Sequence, residues 1–256
     1  MFNWLRNQFR RPTQSPNVQM EDPPVVAVTR PSCNCLNAQY SGGRWPNLAL
    51  HGEVQDERAP AWIQLLELIE QAAADGREEF APGRDIDPHD WTQIVTLPAS
   101  IAKLTRVRRL TLYGSSLVRI PPQIGEMAAL ENFTPYTSYR LHWLPFEITR
   151  CKRLIDSTVS TRALYGNYKY RPPFPNLPQS ALDATPETCS LCNRPFGDSI
   201  PHQVWISLKV ATDVLPLLVH ACSKKCLSHL PGTPERYVSG PHRGGPNVAQ
   251  PPVGLC

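Results

Sequence analysis

One phrase recurs three times in the middle of this 256-residue chain, and it limits the fold more than any other feature. Leu97-Pro98, Ile120-Pro121 and Leu144-Pro145 follow one another at steps of 23 and 24 residues. An isoleucine stands three residues after each proline, at Ile101, Ile124 and Ile148. Apolar residues then return at every third position: Leu104, Val107 and Leu110; Met127, Leu130 and Phe133; Cys151 and Leu154. A fixed period of this length marks a solenoid, in which each repeat is one unit stacked on the one before.

Aligning the repeats pairs Leu104 with Met127, Val107 with Leu130 and Leu110 with Phe133. One inserted residue near Tyr139–Leu141 then pairs Met127 with Cys151 and Phe133 with Ser157. Neighbouring strand residues point to opposite sides. The core-facing residues are then Leu110 and Leu112, Phe133 and Pro135, Ser157 and Val159. The residues between them form three outward columns: Arg109, Asn132, Asp156; Thr111, Thr134, Thr158; and Tyr113, Tyr136, Ser160. Threonine suits a strand, and its hydroxyl pairs across strands. The middle column is therefore equally consistent with sheet propensity and with a polar ligand surface.

The LPxxIxxLxxLxxL string, carried over about residues 80–160, resembles the leucine-rich repeat family in its short form. The resemblance implies a curved stack whose concave sheet face binds a protein partner. Two departures stand out. Ser115 replaces the asparagine that usually ties the turn after the strand, and Pro135 falls at a strand position although it lacks a ladder donor. Cys151 sits where Leu104 and Met127 sit, as a small buried hydrophobe.

Pro60, apolar Trp62, Leu65, Leu66, Ile69, Ala72 and Ala73 on one face, and Gly76 as a stop predict a helix over 60–75. A solenoid needs its end surface covered, so this helix is expected to be the N-terminal cap. Residues 80–96 read as a degenerate first repeat, with Phe80, Ile86, Trp91 and Ile94 inward. The acidic run Asp85-Ile-Asp-Pro-His-Asp90 reads as a solvated turn. Residues 161–178 are rich in aromatic and basic side chains, among them Arg162, Tyr165, Tyr168 and Tyr170. They are expected to close the stack as an extended repeat or a hairpin, and their Tyr and Arg content is that of a protein-binding hot spot.

A second motif follows. Cys189 and Cys192 form a C-x2-C pair, Cys222 and Cys226 a C-x3-C pair, and two apolar runs separate them. Gln203–Val210 alternates as a half-buried strand should, and Leu215–Val219 follows it. Four thiolates are the ligand set of a closed tetrahedral zinc site, which is structural because no position is left for water. Lys224 and Lys225 favour deprotonation of the thiols between which they lie. His220 and His229 are candidate substitutes for one ligand. The order of knuckle, hairpin and helix resembles treble-clef zinc fingers.

The fold class expected is α+β with a solenoid: a short leucine-rich repeat stack with an N-terminal capping helix, followed by a small zinc-bound ββα module. The expected divisions are an irregular segment 1–55, the repeat domain 56–178, the zinc-binding module 184–232 and a Pro/Gly-rich tail 233–256. The 28 prolines agree with this much loop, since proline is confined to turns, first helical positions and edges. Cys33 and Cys35 form a lone C-x-C without partner spacing.

No apolar run reaches the roughly 18–20 residues of a membrane span, and the start lacks the apolar core of a signal peptide. A cytoplasmic location is expected. A net charge of +4 is too weak by itself to indicate nucleic acid. No nucleophile–base motif or phosphate-binding glycine loop occurs. The reading is a non-catalytic intracellular protein–protein interaction scaffold with a structural zinc ion. The alternatives are a nucleic-acid-binding protein using the zinc module and the Tyr/Arg patch, or a ubiquitin-ligase-like enzyme.

Overall fold

The computed structural model describes residues 50–159, 186–232, 240–243 and 248, all within one compact unit, Pro31–Cys256. Cys33, Cys35, Ser160, Arg162, Tyr165, Tyr168, Tyr170 and the proposed closure at 161–178 lie outside the described residues.

Helix α1 spans Pro60–Asp75, with proline at its first position and Ala61, Trp62, Leu65, Ile69 and Ala72 buried along one side. Gly76 ends it in the left-handed conformation, φ 65°, with its N–H on the carbonyl of Ala72 at 3.1 Å. A side chain at Gly76 would strain that backbone and press on the guanidinium of Arg106. Lys103 Nζ lies 2.6 Å from Glu70, an exposed ion pair between the helix and the segment that follows Pro98.

Each Leu/Ile-Pro phrase produces the same local structure. Pro98, Pro121 and Pro145 are extended, at φ −73°, −72° and −68°. Each leads into a 3₁₀ turn: Ala99–Lys103, Pro122–Glu126 and Phe146–Arg150. Ile101, Ile124 and Ile148 are fully buried in these turns. The turns stack closely. A side chain on Gly125 would meet the carbonyl oxygen of Glu147, in the next turn, at 2.7 Å.

Opposite the turns lies a parallel sheet of very short strands. β1 (Glu79–Phe80), β2 (Arg109–Thr111), β3 (Asn132–Thr134) and β5 (Asp156–Ser157) are adjacent in that order. The register joins Arg109 to Asn132 and Asn132 to Asp156, and Thr111 to Thr134. Glu79 pairs with Arg109 on the other side, which brings residues 79–80 into the same ladder. Phe80, Leu110, Phe133 and Ser157 face inward. Pro135 is buried just beyond β3, and pairing continues past it, since Gly114 N–H reaches the Tyr136 carbonyl at 3.0 Å. The link to β2 runs through residues 134 and 136, so the donor that proline lacks is not needed there.

Ser115 has a partner. Its Oγ lies 2.6 Å from Ser138 Oγ, and Ser138 Oγ also donates to the Leu112 carbonyl at 3.3 Å. Both serines are buried, so the hydroxyl pair ties two successive turns where an asparagine would otherwise be expected.

The remaining strands depart from expectation. β4 (Leu144–Pro145) pairs in parallel with β7 (Asp213–Ala221), which is antiparallel to β6 (His202–Val210). The hairpin is not half-buried. Gln203 through Leu208 are all buried, Ser207 included. Val204, Ile206, Leu208 and Val210 share one core with the repeat leucines and with Leu65 and Ile69 of α1. The cysteine-bearing segment thus shares the repeats' core through most of its hairpin, while Cys189, Phe196 and Ala221 form a small cluster of their own. The turn at Ala211-Thr212 docks on β5: Ser157 N–H donates to Thr212 Oγ1 at 3.1 Å, and Thr212 Oγ1 donates to the Ser157 carbonyl at 2.8 Å. A side chain therefore occupies the edge of the parallel sheet where a further strand would add. Within the expected tail, His242 pairs with Trp205 by backbone hydrogen bonds in both directions, at 2.6 and 3.1 Å.

Candidate metal centre and open sheet face

The first cysteine pair sits in a knuckle held by its own backbone. Cys189 N–H donates to the Arg194 carbonyl at 2.8 Å and Asn193 N–H to the Cys189 carbonyl at 3.0 Å. Asn193 takes a positive φ of 59°, a conformation asparagine tolerates better than most residues. β7 carries the knuckle, because Ser190 N–H donates to the His220 carbonyl at 2.8 Å and His220 N–H to Ser190 Oγ at 3.0 Å. β7 then runs straight into Cys222. Ser223 caps the short helix α3 (Lys224–Leu227), accepting from Cys226 N–H at 3.2 Å, and this places Cys226 one turn after Cys222.

The four sulfurs of Cys189, Cys192, Cys222 and Cys226 lie within 4.8 Å of one another. Cys222 Sγ is 3.7 Å from Cys192 Sγ and 3.3 Å from Cys226 Sγ. A tetrahedron with metal–sulfur bonds of about 2.3 Å has edges of about 3.8 Å, so the cluster is sized for one such ion. Among the described residues no other group of three or more His, Cys, Asp or Glu is so placed.

The electrostatics favour a thiolate at the buried member. Burial of Cys189 disfavours the charged form, but backbone N–H groups of Cys192, Cys222 and Leu191 aimed at its sulfur outweigh it, and its pKa falls to about 7. The thiol of Cys222 is held above its ordinary value, chiefly by its contact with Cys226. Metal binding by such closely spaced thiols releases their protons.

The two candidate substitute histidines are engaged elsewhere. His220 is buried with Nε2 3.1 Å from Gln203 Nε2, and burial lowers its pKa to about 4. His229 places Nδ1 2.8 Å from the Lys225 carbonyl. Burial pushes the Cys151 thiol up to about 11, and it donates to the Ile124 carbonyl at 3.2 Å. Asp87 caps helix α2 (Pro88–Trp91) by accepting from His89 N–H at 2.8 Å.

Sequence reasoning missed Arg150. Its Nη2 donates to the Ser190 carbonyl at 3.0 Å and to Asn193 Oδ1 at 2.5 Å, so the last 3₁₀ turn of the repeats grips the knuckle. Glu147, one turn earlier, is 2% exposed, and neither carboxylate oxygen has a hydrogen bond of good geometry. Arg150 Nη2 approaches it only to 3.9 Å. Burial raises the Glu147 pKa, with Ser190 and Arg150 pulling the other way.

The outward columns of the parallel sheet form a second candidate surface. Arg109 and Thr158 are exposed; Thr111, Asn132, Thr134 and Asp156 are half-buried. Tyr113 and Tyr136 are 60% and 45% exposed, with ring centroids 5.9 Å apart and planes at 32°. A cavity of about 360 Å³ opens beside them, lined by Ala81, Gly83, Arg84, Thr111, Tyr113 and Thr134. Arg84 was not singled out from sequence. Its place depends on Glu79 and Phe80 entering the ladder, with the 3₁₀ turn Pro82–Arg84 directly after them, which a degenerate repeat conceals. Glu79 accepts from Arg84 at 2.7 Å and from Arg109 at 3.4 Å. At the far side Asp156 accepts from Thr212 Oγ1 at 3.3 Å and Asn132 Nδ2 at 3.5 Å. Among the described residues no helix is long and apolar enough to cross a membrane.

No family model matches the chain, and no curated protein matches it. Among solved structures, a leucine-rich repeat protein of Leptospira interrogans aligns at 15% identity with a TM-score of 0.25. The alignment covers 52% of this chain and 38% of that one, so the chain spans well under half of that protein's length.

Proposed function

We propose that the chain is a non-catalytic interaction protein. A short leucine-rich repeat solenoid presents its concave sheet face to a protein partner, and one zinc ion on Cys189, Cys192, Cys222 and Cys226 holds the C-terminal side of the stack in shape. The observation that carries the interaction reading is the pair of exposed, mutually packed rings, Tyr113 and Tyr136, on a face where Thr111 and Thr134 stand in register. Exposed tyrosines contribute little to the core, yet tyrosine is among the residue types enriched at binding hot spots.

Four sulfurs at tetrahedral spacing support zinc, a borderline-soft ion that takes thiolates readily. With four protein ligands the ion would be structural. Its binding energy would offset the buried Glu147, whose neighbour Arg150 holds the knuckle.

The test of the interaction reading is capture from a cell extract, comparing wild type with a Tyr113→Ala, Thr134→Ala, Tyr136→Ala variant of unchanged melting temperature. Loss of the captured partners is expected. An identical set of partners removes this face from consideration.

A further inference from the structure

The open sheet face is polarised, and the polarity indicates what it takes. At the β1–β2 side two guanidiniums, Arg84 and Arg109, share the one carboxylate of Glu79. They are 69% and 51% exposed, so a positive charge is left facing the cavity beside Tyr113. At the β5 side the sign reverses. Asp156 is bonded by an amide and a hydroxyl, neither of which neutralises it. Asp213, accepting from Ser157 Oγ at 3.0 Å, lies close enough to Asp156 for the two carboxylates to repel. Beside the row from Arg109 through Asn132 to Asp156 run Thr111 and Thr134, each able to donate or accept, followed by the apolar faces of Tyr113 and Tyr136.

Resting on the interaction reading above, we propose that this face binds an extended peptide segment lying across the strands, with a carboxylate side chain at the Arg84 cavity and a cationic side chain at Asp156. Strands spaced about 4.8 Å apart put β1 and β5 about 14 Å apart, and an extended chain rising about 3.3 Å per residue covers that in about four residues. The segment therefore carries its acidic and basic residues about four positions apart, with apolar or proline residues between them against the tyrosines. A polyanion such as nucleic acid is the poorer occupant, because Glu79 and Asp156 match Arg84 and Arg109 in number and repel phosphates along the same line.

The experiment uses the full chain and three fluorescein-labelled peptides that differ only at the ends of a shared core: Glu-Pro-Leu-Pro-Lys, Glu-Pro-Leu-Pro-Glu and Lys-Pro-Leu-Pro-Lys, each flanked by glycines. In anisotropy titrations the mixed-charge peptide binds at least tenfold more tightly than either control. Arg84→Glu shifts the preference to the Lys–Lys peptide, and Asp156→Lys shifts it to the Glu–Glu peptide. Equal binding of all three, no binding of any, or a preference untouched by both reversals overturns the proposal. If it fails while the tyrosine–threonine variant still loses its partners from extract, the charge pattern is wrong and the interaction reading stands. If both fail, neither stands.

Discussion

Arg150, on the last 3₁₀ turn of the repeats, donates to the backbone carbonyl of Ser190, the residue that follows the first cysteine of the cluster. This bond crosses from the repeat turns to the knuckle, and β4–β7 pairing crosses beside it. The cysteine cluster and the repeats are therefore mechanically one structure, and perturbing either should be felt in the other.

Arg150→Ala removes the bonds to Ser190 and Asn193 and leaves all four cysteines in place. Groups that orient metal ligands from behind typically contribute 10–100-fold to metal affinity. Competition with a chromogenic chelator should show a loss of about tenfold in zinc affinity. An affinity equal to wild type would mean the knuckle is positioned by its own backbone alone.

Glu147 governs a pH dependence with a definite sign. Its folded-state pKa is raised by burial, so its favourable contribution is present below the unfolded carboxyl value and is lost as pH rises through the folded value. Glu147→Gln should therefore flatten the decline in stability through the mildly acidic range. At pH 7 it should be more stable than wild type by about 1 kcal/mol, because a buried carboxylate without good hydrogen bonds is removed. Urea midpoints at pH 4.5 and pH 7 read this directly; a variant less stable at both would contradict it.

The serine pair is coupled. Ser138→Ala leaves Ser115 buried without its 2.6 Å partner and should cost about 1–3 kcal/mol. Adding Ser115→Ala should cost much less, giving a coupling of at least about 0.5 kcal/mol in a double-mutant cycle. Strict additivity would show the contact to be incidental.

Gly125→Ala tests the closeness of the stacked turns. The new methyl would lie 2.7 Å from the Glu147 carbonyl oxygen, which backbone cannot easily vacate. A loss of about 1–3 kcal/mol is expected by thermal or chemical unfolding. A neutral result would show that the turns separate readily.

How much of this could be read beforehand follows from the range of the interactions. The Leu-Pro phrases, the buried isoleucines and the helix ending at Gly76 are local patterns, and the cysteine spacing is a local pattern twice over. The β2–β3–β5 register followed from one inserted residue. The burial of β6 on both faces did not. Gln203 and Ser207 look like solvent-facing residues until the sheet acquires a second cover, a tertiary fact with no local trace. Arg150 and Thr212 act on partners 40 and 55 residues away, so nothing in their own neighbourhoods marks them. Ser115 was visible as a departure, but its compensation by Ser138 required the turns to be stacked.

Cys189, Cys192, Cys222 and Cys226 are proposed to hold one zinc ion on which the C-terminal side of the stack depends. The direct measurement is metal content by mass spectrometry of freshly purified wild type beside Cys189→Ser and Cys222→Ser, with a thermal melt of each. One zinc per chain in wild type, lost in both variants together with a lower melting temperature, is the predicted result. Wild-type protein free of metal, or variants that keep their zinc, would contradict it.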